Sequence, residues 1–306
     1  MKTFILNAQT PVLWRSKDEV QFGLNPHQSI RVPVEVAQQI LQSAQEHETG
    51  PFQFNEITPS HTTALNRENL AHDDVQRRLD TEIIIQGAGR MGTTIAVLLA
   101  GAGYPTIRVH DKSHITQADV TAWGPSRTDV GSRRDYIAYL LIERIYRGTW
   151  PRILRKPTTA SRTLTVICPD PVADWPWFSP SLTDKAMAND MDHVVISSGS
   201  HNVHISSVIE PGKTSCMRCR DASLVDVDSA WPLITSQLIG RPPVDTTPSG
   251  LVLYAAHYAT QLIHHWATGL RRESTGLWDI SWPDLHTTFT ALTPHPACGC
   301  QWNLHE

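Results

Sequence analysis

The chain has 306 residues, of which 40% are hydrophobic and 18% are charged, with a net charge of −4 and a pI near 6.4. This balance excludes a chain kept disordered by its own charge, and it gives no reason to expect nucleic acid or an anionic membrane as a partner. No apolar run reaches the roughly 18 residues of a membrane span, and the first residues lack the apolar core of a signal peptide, so we expect a cytoplasmic protein.

The first 75 residues are predicted to form a small β-rich domain. PVLWRS, EVQFGL and SIRVPV are short strand candidates, and a segment with helical spacing begins at Val34. The polar stretch 50–74 is expected to be a linker with one short helix. Since domains hold roughly 150 residues each, we expect a small N-terminal domain over residues 1–75 and a second domain over residues 76–306.

From Thr81 onward, buried strands alternate with helices. The predicted strands are TEIIIQ, TIRVHD, TLTVICPD, DHVVISS and VHISSVIE, with two more candidates, TGLWDISW and HTTFTALT, near the C-terminus. Helices are predicted for TTIAVLLAGAG, RRDYIAYLLIERIYRG and LVLYAAHYATQLIHHWATG. This alternation predicts an α/β fold, a doubly wound, Rossmann-like domain with a mostly parallel sheet.

A glycine-rich loop, GAGRMG, follows the first strand of this domain. Gly87 permits a tight turn, Gly89 lets the backbone approach a phosphate, and Gly92 lets the helix pack on the strand. Asp111 ends the next strand, 19 residues after Gly92, where a carboxylate can accept hydrogen bonds from a ribose. The pattern predicts a nucleotide site. A Rossmann fold that has lost its ligand is the alternative, because Arg90 stands where a small residue is common.

The five cysteines include two closely spaced pairs. The pairs read C-M-R-C and C-G-C and consist of Cys216, Cys219, Cys298 and Cys300. Four thiolates are the ligand set of a closed, structural zinc site, with free buried thiols as the alternative. The fifth, Cys168, ends a predicted strand and is expected to be a small buried hydrophobe, since no activating partner is visible in the sequence.

The glycine loop and the distant cysteine pairs together resemble the ThiF/MoeB/ubiquitin-activating superfamily of ATP-dependent adenylyltransferases. The similar segments are residues 76–111, DVGSRRDYIAYLLIERI, VVISSGSHNVHISSVIEPGKTSCMRC and TPSGLVLYAAHYATQLIHHWATG, and they span about residues 75–300. Three further segments, LWRSKDEVQFGLNP, CMRCRDASLVDVDSAWPLITSQL and HPACGC, resemble a ThiF-like group common in actinobacteria. Some relatives of that group sit in peptide-modification systems and carry an N-terminal, peptide-clasping winged-helix domain.

The resemblance implies a function and a set of site residues. The expected reaction is adenylation of the C-terminal carboxylate of a peptide or ubiquitin-like small protein, with ATP and magnesium as cofactors, by a homodimer. The glycine loop, including Arg90, would hold the phosphates and Asp111 the ribose. Arg134, with Arg133 as the alternative, stands where the family has a lysine, and Arg134 would contact the β- and γ-phosphates. Asp170 would hold magnesium.

The sequence departs from the superfamily pattern in several places: besides the arginine in place of the lysine and the lack of a cysteine in the crossover loop for a thioester, three motifs are changed. Asp111 is followed by Lys112 rather than by a second acid after one residue, the N-x-x-R-Q stretch reads DVTAW (119–123), and the acidic motif after the third strand is reduced to Asp170. These changes favour a catalytically degenerate scaffold that binds a peptide and presents it to a partner enzyme. The intact glycines and Asp111 favour an active adenylyltransferase. An NAD-dependent oxidoreductase is a third reading, because a glycine loop alone does not exclude it.

Three local features have two interpretations each. Arg90 either swings outward and supplies the positive charge that the DVTAW stretch lacks, or folds inward and fills the site. The aromatic run WPWF (175–178) either contacts a peptide or, as we expect, packs in the core. His257, His264 and His265 share one predicted helix without a zinc motif and are expected to be core or surface residues rather than ligands.

Overall fold

The computed structural model describes residues 11–25, 29–45, 77–78, 80–149, 162–269 and 275–300. The predicted linker at 50–74 and the predicted boundary between residues 75 and 76 lie outside the described residues. None of the described helices is long and apolar enough to cross a bilayer.

The N-terminal lobe contains a three-stranded antiparallel sheet and one helix. Its strands are β1 (Val12–Trp14), β2 (Glu19–Phe22) and β3 (Ile30–Pro33), in that spatial order, and α1 (Val34–Gln45) follows directly. The sequence predictions for these four elements are confirmed. The described part of the lobe holds this one helix, and a winged-helix arrangement stays a prediction.

The second sheet has seven strands and carries the main hydrophobic core. They are β4 (Thr81–Gln86), β5 (Thr106–His110), β6 (Arg162–Ile167), β7 (His193–Ser198), β8 (Asn202–Ser206), β9 (Gly276–Ser281) and β10 (His286–Ala291). Their spatial order is β10-β9-β8-β7-β6-β4-β5. The four neighbours β5, β4, β6 and β7 are parallel, as the strand–helix alternation predicts.

The other three pairings of this sheet are antiparallel. Two of these pairings follow from short links: residues 199–201 join β7 to β8 and residues 282–285 join β9 to β10, whereas a parallel connection needs a crossover of a dozen or more residues. The sheet is therefore mixed, with a parallel part that begins at β5 and an antiparallel part that ends at β10.

Helices pack against the sheet, and small side chains lie where two of these helices contact each other. They are α2 (Arg90–Gly101), α3 (Arg134–Thr149), α4 (Ser181–Ala188), α5 (Met217–Val227), α6 (Trp231–Ser236) and α7 (Ser249–Thr268). Ala255, Ala256 and Ala259 of α7 are fully buried in the core cluster that also contains Ile95 and Leu99 of α2. Small side chains on α7 let the two helices pack closely together above the sheet.

The N-terminal lobe is held against the rest of the described chain by an ion pair and an apolar cluster. The guanidinium of Arg15 forms two hydrogen bonds with the buried carboxylate of Asp228, one of them over 2.7 Å. Leu13 and Leu24 are buried in one cluster with Trp231. These contacts place the lobe against the segment that follows α5.

Candidate functional site

The predicted site residues meet at the carboxyl edge of the parallel strands. The glycine loop begins after β4, Asp111 follows β5, and Asp170 lies three residues after the end of β6. Because β4 pairs with β5 on one side and with β6 on the other, the chain leaves this edge in two directions. Such a point in an open α/β sheet forms a crevice where ligands bind.

The three glycines of the loop stand where a Cβ would collide with a neighbouring atom. Gly87 has a φ of +95°, and a Cβ on it would overlap the carbonyl oxygen of Cys168. A Cβ on Gly89 would overlap the carboxylate oxygen Oδ1 of Asp170. Gly92 lies in the first turn of α2 against the carbonyl of Gly87. The loop therefore brings the N-terminus of α2 next to the Asp170 carboxylate.

Asp111 is fixed by the backbone around it. Its Oδ2 accepts a hydrogen bond from the N–H of Ala88 over 2.8 Å, and its Oδ1 accepts one from the N–H of Ser113 over 2.9 Å. Burial acts to raise its pKa, but these hydrogen bonds and the charge of Arg134 hold the pKa of Asp111 below its ordinary value. An ionised carboxylate thus stands beside the glycine loop.

Arg134, the first residue of α3, lies among three carboxylates. Its Nη1 donates to Asp170 Oδ2 over 2.6 Å and lies 3.4 Å from Asp111 Oδ2. Its Nη2 donates to Asp119 Oδ1 over 2.8 Å. Burial acts to lower the pKa of Arg134, but the charges and hydrogen bonds of Asp170 and Asp119 raise it above its ordinary value. The structure therefore brings three of the predicted site residues together.

Asp119 is a member of this cluster that the sequence analysis did not single out. It caps a 3-10 turn at 117–119, where its Oδ2 accepts from the N–H and the hydroxyl of Thr116, both over 2.8 Å. The signal was its position: it opens the DVTAW stretch where the superfamily has its N-x-x-R-Q motif. An acid stands in that stretch and holds the arginine that α3 supplies.

The cluster carries a negative charge that is most accessible at Asp170. With three carboxylates and one guanidinium ionised, its net charge is −2, since Arg134 is paired with Asp111, Asp119 and Asp170. The Asp170 side chain is 28% exposed, against 9% and 6% for the other two. Burial raises the pKa of Asp170 although Arg134 acts to lower it. A hard divalent cation prefers such oxygen ligands, so Asp170 fits magnesium.

Arg90 takes neither of the two orientations expected from the sequence. Its Nε and Nη2 donate to the two carboxylate oxygens of Asp245 over 2.8 and 2.5 Å, and Nη2 also donates to the carbonyl of Thr247 over 2.7 Å. The charge is thus neutralised by a residue 155 positions away, on the loop that precedes α7. The fork of the guanidinium is thus satisfied by protein groups in this structure.

The four paired cysteines form one cluster, as predicted. Their Sγ atoms all lie within 4.8 Å of one another, with Cys216 and Cys298 3.4 Å apart and Cys219 and Cys300 3.3 Å apart. A Zn–S bond of about 2.3 Å gives S–S distances of about 3.8 Å in a tetrahedral site, so the four residues fit one zinc ion. One pair starts α5 and the other follows β10, so an ion here would join the C-terminal segment to α5.

The remaining candidates of the sequence analysis are structural. Burial raises the pKa of Cys168 well above its ordinary value, and its side chain lies in the core, which does not suit a nucleophile. Trp177 and Phe178 of the WPWF run are buried, and the Trp175 ring packs edge-on against His204 at 5.1 Å. Among the described residues, the metal-type cluster consists of the four cysteines and includes no histidine.

The fold is shared with solved structures of MccB and PaaA. A crystal structure of MccB from E. coli with ATP has a TM-score of 0.56 at 17% identity, covering 76% of this chain and 70% of MccB. Another, with MccA-N7isoASN, has a TM-score of 0.57 at 17% identity, covering 76% and 69%. A third structure is that of the microcin C7 biosynthetic enzyme MccB in complex with N-formylated MccA.

A crystal structure of PaaA also has this fold, with a TM-score of 0.51 at 12% identity, covering 85% of this chain and 92% of PaaA. The sequence matches no protein-family model, and no curated protein matches it significantly. At 12% to 17% sequence identity, these comparisons show a shared fold.

Proposed function

We propose that the chain is an ATP-dependent adenylyltransferase of the ThiF/MoeB/ubiquitin-activating type that acts on the C-terminal carboxylate of a peptide or ubiquitin-like small protein. The observation that carries the proposal is the meeting of the glycine loop, Asp111 and Asp170 at one sheet edge. The shared fold with MccB, which is solved with ATP and with MccA, supports ATP and a peptide as the two substrates.

The reaction asks for positioning and charge stabilisation. A carboxylate oxygen of the peptide attacks the α-phosphorus of ATP, an acyl-adenylate bond forms, and the bond to pyrophosphate breaks. The backbone N–H groups of the loop and the N-terminus of α2 suit the phosphates, and Asp111 suits the ribose hydroxyls. Rate enhancement then comes from orientation and preorganised charges rather than from covalent catalysis.

Asp170 and Arg134 have complementary roles in this proposal. Asp170 is the most exposed carboxylate of the cluster and would hold magnesium, which neutralises triphosphate charge when bound. Arg134 is oriented by Asp119 and presents Nη1 toward the crevice, where it would stabilise charge on the β- and γ-phosphates. The four cysteines would hold a structural zinc, because the cluster consists of four thiols and leaves no open ligand position.

The oligomer and the N-terminal lobe belong to the same proposal. We infer a homodimer, since closed two-fold symmetry is the commonest form of oligomer. Sedimentation at micromolar concentration should give a species of twice the 34.1 kDa chain mass. The N-terminal lobe is proposed to bind the peptide, and its removal should weaken peptide binding while nucleotide binding persists.

A second function, a peptide-binding scaffold without catalysis, has one observation in its favour. In the part of the chain that the structure describes, both arginines at this edge are already paired with carboxylates, Arg90 with Asp245 and Arg134 with Asp119 and Asp170. A site that neutralises its own cations attracts triphosphate less strongly.

ATP–pyrophosphate exchange separates the two functions. A synthetic peptide library with free C-terminal carboxylates should stimulate exchange by the wild-type protein, and the same library with amidated C-termini should not. Asp111→Ala should abolish the stimulation. Peptide binding without exchange would favour the scaffold.

A further inference from the structure

Arg90 is bound at a place where its partner can be exchanged for another anion. Its side chain is largely buried, and its fork engages both oxygens of Asp245. A guanidinium binds carboxylates and phosphates with the same bidentate geometry. Arg90 is also the first residue of α2, whose N-terminus opens from the glycine loop and favours anions.

The loop that carries Asp245 lies along the candidate nucleotide site. This segment, residues 241–248, directly precedes α7 and is called the 241–248 loop. The N–H of Val244 donates to the carbonyl of Pro171 over 2.9 Å, directly after Asp170. The loop is therefore attached at two points, to the residue after Asp170 and to the first residue of α2.

A second polar group beside Arg90 has no partner in the described part of the chain. Thr247 is 2% exposed, and its hydroxyl oxygen forms no hydrogen bond with any described residue. Its N–H donates to Asp245 Oδ1 over 3.1 Å, and its carbonyl accepts from Arg90. A buried hydroxyl without a partner carries a free-energy cost and marks a position prepared for another polar group.

We propose that Asp245 competes with the triphosphate for Arg90, so that nucleotide binding exchanges the carboxylate for phosphate oxygens and releases the 241–248 loop. The inference rests on the proposed function and explains how an arginine can stand in the glycine loop of an ATP-binding protein. In this state the Asp245 carboxylate satisfies the guanidinium. In the bound state a phosphate does so, and the Thr247 hydroxyl gains a partner. Arg90 is then a nucleotide-binding residue and Asp245 a positioning residue.

The exchange is tested by a double-mutant cycle with tripolyphosphate and ATP·Mg²⁺ as probes. Asp245→Asn should tighten tripolyphosphate binding about threefold to tenfold, because the competing charge is removed, and Arg90→Gln should weaken it about tenfold or more. Asp245→Asn should bring no gain when combined with Arg90→Gln. Asp245→Glu, which keeps the ion pair, is the control and should bind like wild type. Melting temperatures identify any variant that fails to fold.

Hydrogen exchange gives a readout that does not depend on affinity. In wild type, saturating tripolyphosphate should speed exchange of the Val244 and Thr247 amides, whose hydrogen bonds hold the loop. Unchanged exchange, or equal or weaker binding by Asp245→Asn, would overturn the inference and leave a static ion pair.

The two probes separate this failure from failure of the proposed function. If ATP binds but Asp245→Asn gives no gain in affinity that depends on Arg90, the inference alone is overturned. The pattern with tripolyphosphate but no ATP binding overturns the proposed function alone. If neither tripolyphosphate nor ATP binds, both the inference and the proposed function are overturned.

Discussion

The Nη1 atom of Arg134 donates to Asp170 Oδ2 over 2.6 Å while Nη2 of the same guanidinium donates to Asp119. One side chain thus joins the segment after β6 to the 3-10 turn after β5. Its own side chain is only 7% exposed, so the hydrogen bonds are made away from bulk water, where they are strong and costly to break.

Loss of Arg134 should destabilise the fold because three carboxylates would face one another unpaired. Arg134→Met should lower the free energy of unfolding by about 3–5 kcal/mol, the range for removing one partner of a buried ion pair. Arg133→Gln is the matched control, since Arg133 is 53% exposed and pairs with Asp135 at the surface; it should leave the free energy of unfolding nearly unchanged, because solvent screens a surface ion pair. Urea denaturation measures both, and equal costs would contradict the buried-cluster account.

Asp174 should make stability depend on pH. Burial raises its pKa from 3.8 to about 6, although the Leu24 N–H donates to its carboxylate. The folded state therefore binds this proton more tightly than the unfolded chain, and the contribution is full below about pH 4 and lost as pH rises through about 6.

Asp174→Asn stays uncharged, so it should gain roughly 2–3 kcal/mol over wild type between pH 4 and pH 7, from about 1.4 kcal/mol per pKa unit. Denaturation of both proteins at the two pH values measures the change. Asp284→Asn removes the same charge at an exposed position and serves as the control. Parallel pH profiles for Asp174→Asn and wild type would contradict the prediction.

Protein purified under reducing conditions should contain one zinc ion per chain. Cys219→Ser should lose most of the metal, because it removes one of four ligands whose Sγ atoms lie within 4.8 Å. Cys168→Ala removes a thiol buried in the core, outside the cluster, and should keep full metal content. Elemental analysis checks all three proteins, and wild type without stoichiometric zinc would refute the structural zinc site.

Asp111→Ala should weaken ATP binding by about 1.5–3 kcal/mol, the range for hydrogen bonds to a charged group. The change removes the acceptor for the ribose and frees the N–H of Ala88 in the glycine loop. Lys112→Ala alters the exposed neighbouring residue and should leave affinity unchanged. Titration calorimetry measures both, and an unaltered affinity in Asp111→Ala would argue against the ribose role.

The features that the sequence predicts well are local in the chain. Most strands of the large sheet are continuous apolar or alternating runs, and the glycine loop lies within six residues, Gly87–Gly92. The cysteine pairs are equally compact, and they converge because the chain returns from β10 to the start of α5. Such patterns are set by backbone sterics and periodicity, which single sequences display.

The features that the sequence does not predict depend on distant partners. Arg90 is paired with Asp245, 155 residues away, and nothing near either residue reveals the pair. The antiparallel direction of β8 is not predicted, because strand periodicity is the same in parallel and antiparallel sheets. The short helices α4 and α6, of 8 and 6 residues, were missed because so few turns give little periodicity.

Isothermal titration of the wild-type protein with ATP·Mg²⁺, and separately with NAD⁺, tests the nucleotide site most directly. We expect saturable ATP binding with a Kd below about 1 mM, because the site offers a glycine loop and the carboxylate of Asp111. NAD⁺ should bind more weakly than ATP·Mg²⁺, because it brings no magnesium-bound triphosphate to Asp170, the most exposed carboxylate of the cluster. No ATP binding below about 1 mM, or tighter binding of NAD⁺ than of ATP, would contradict it.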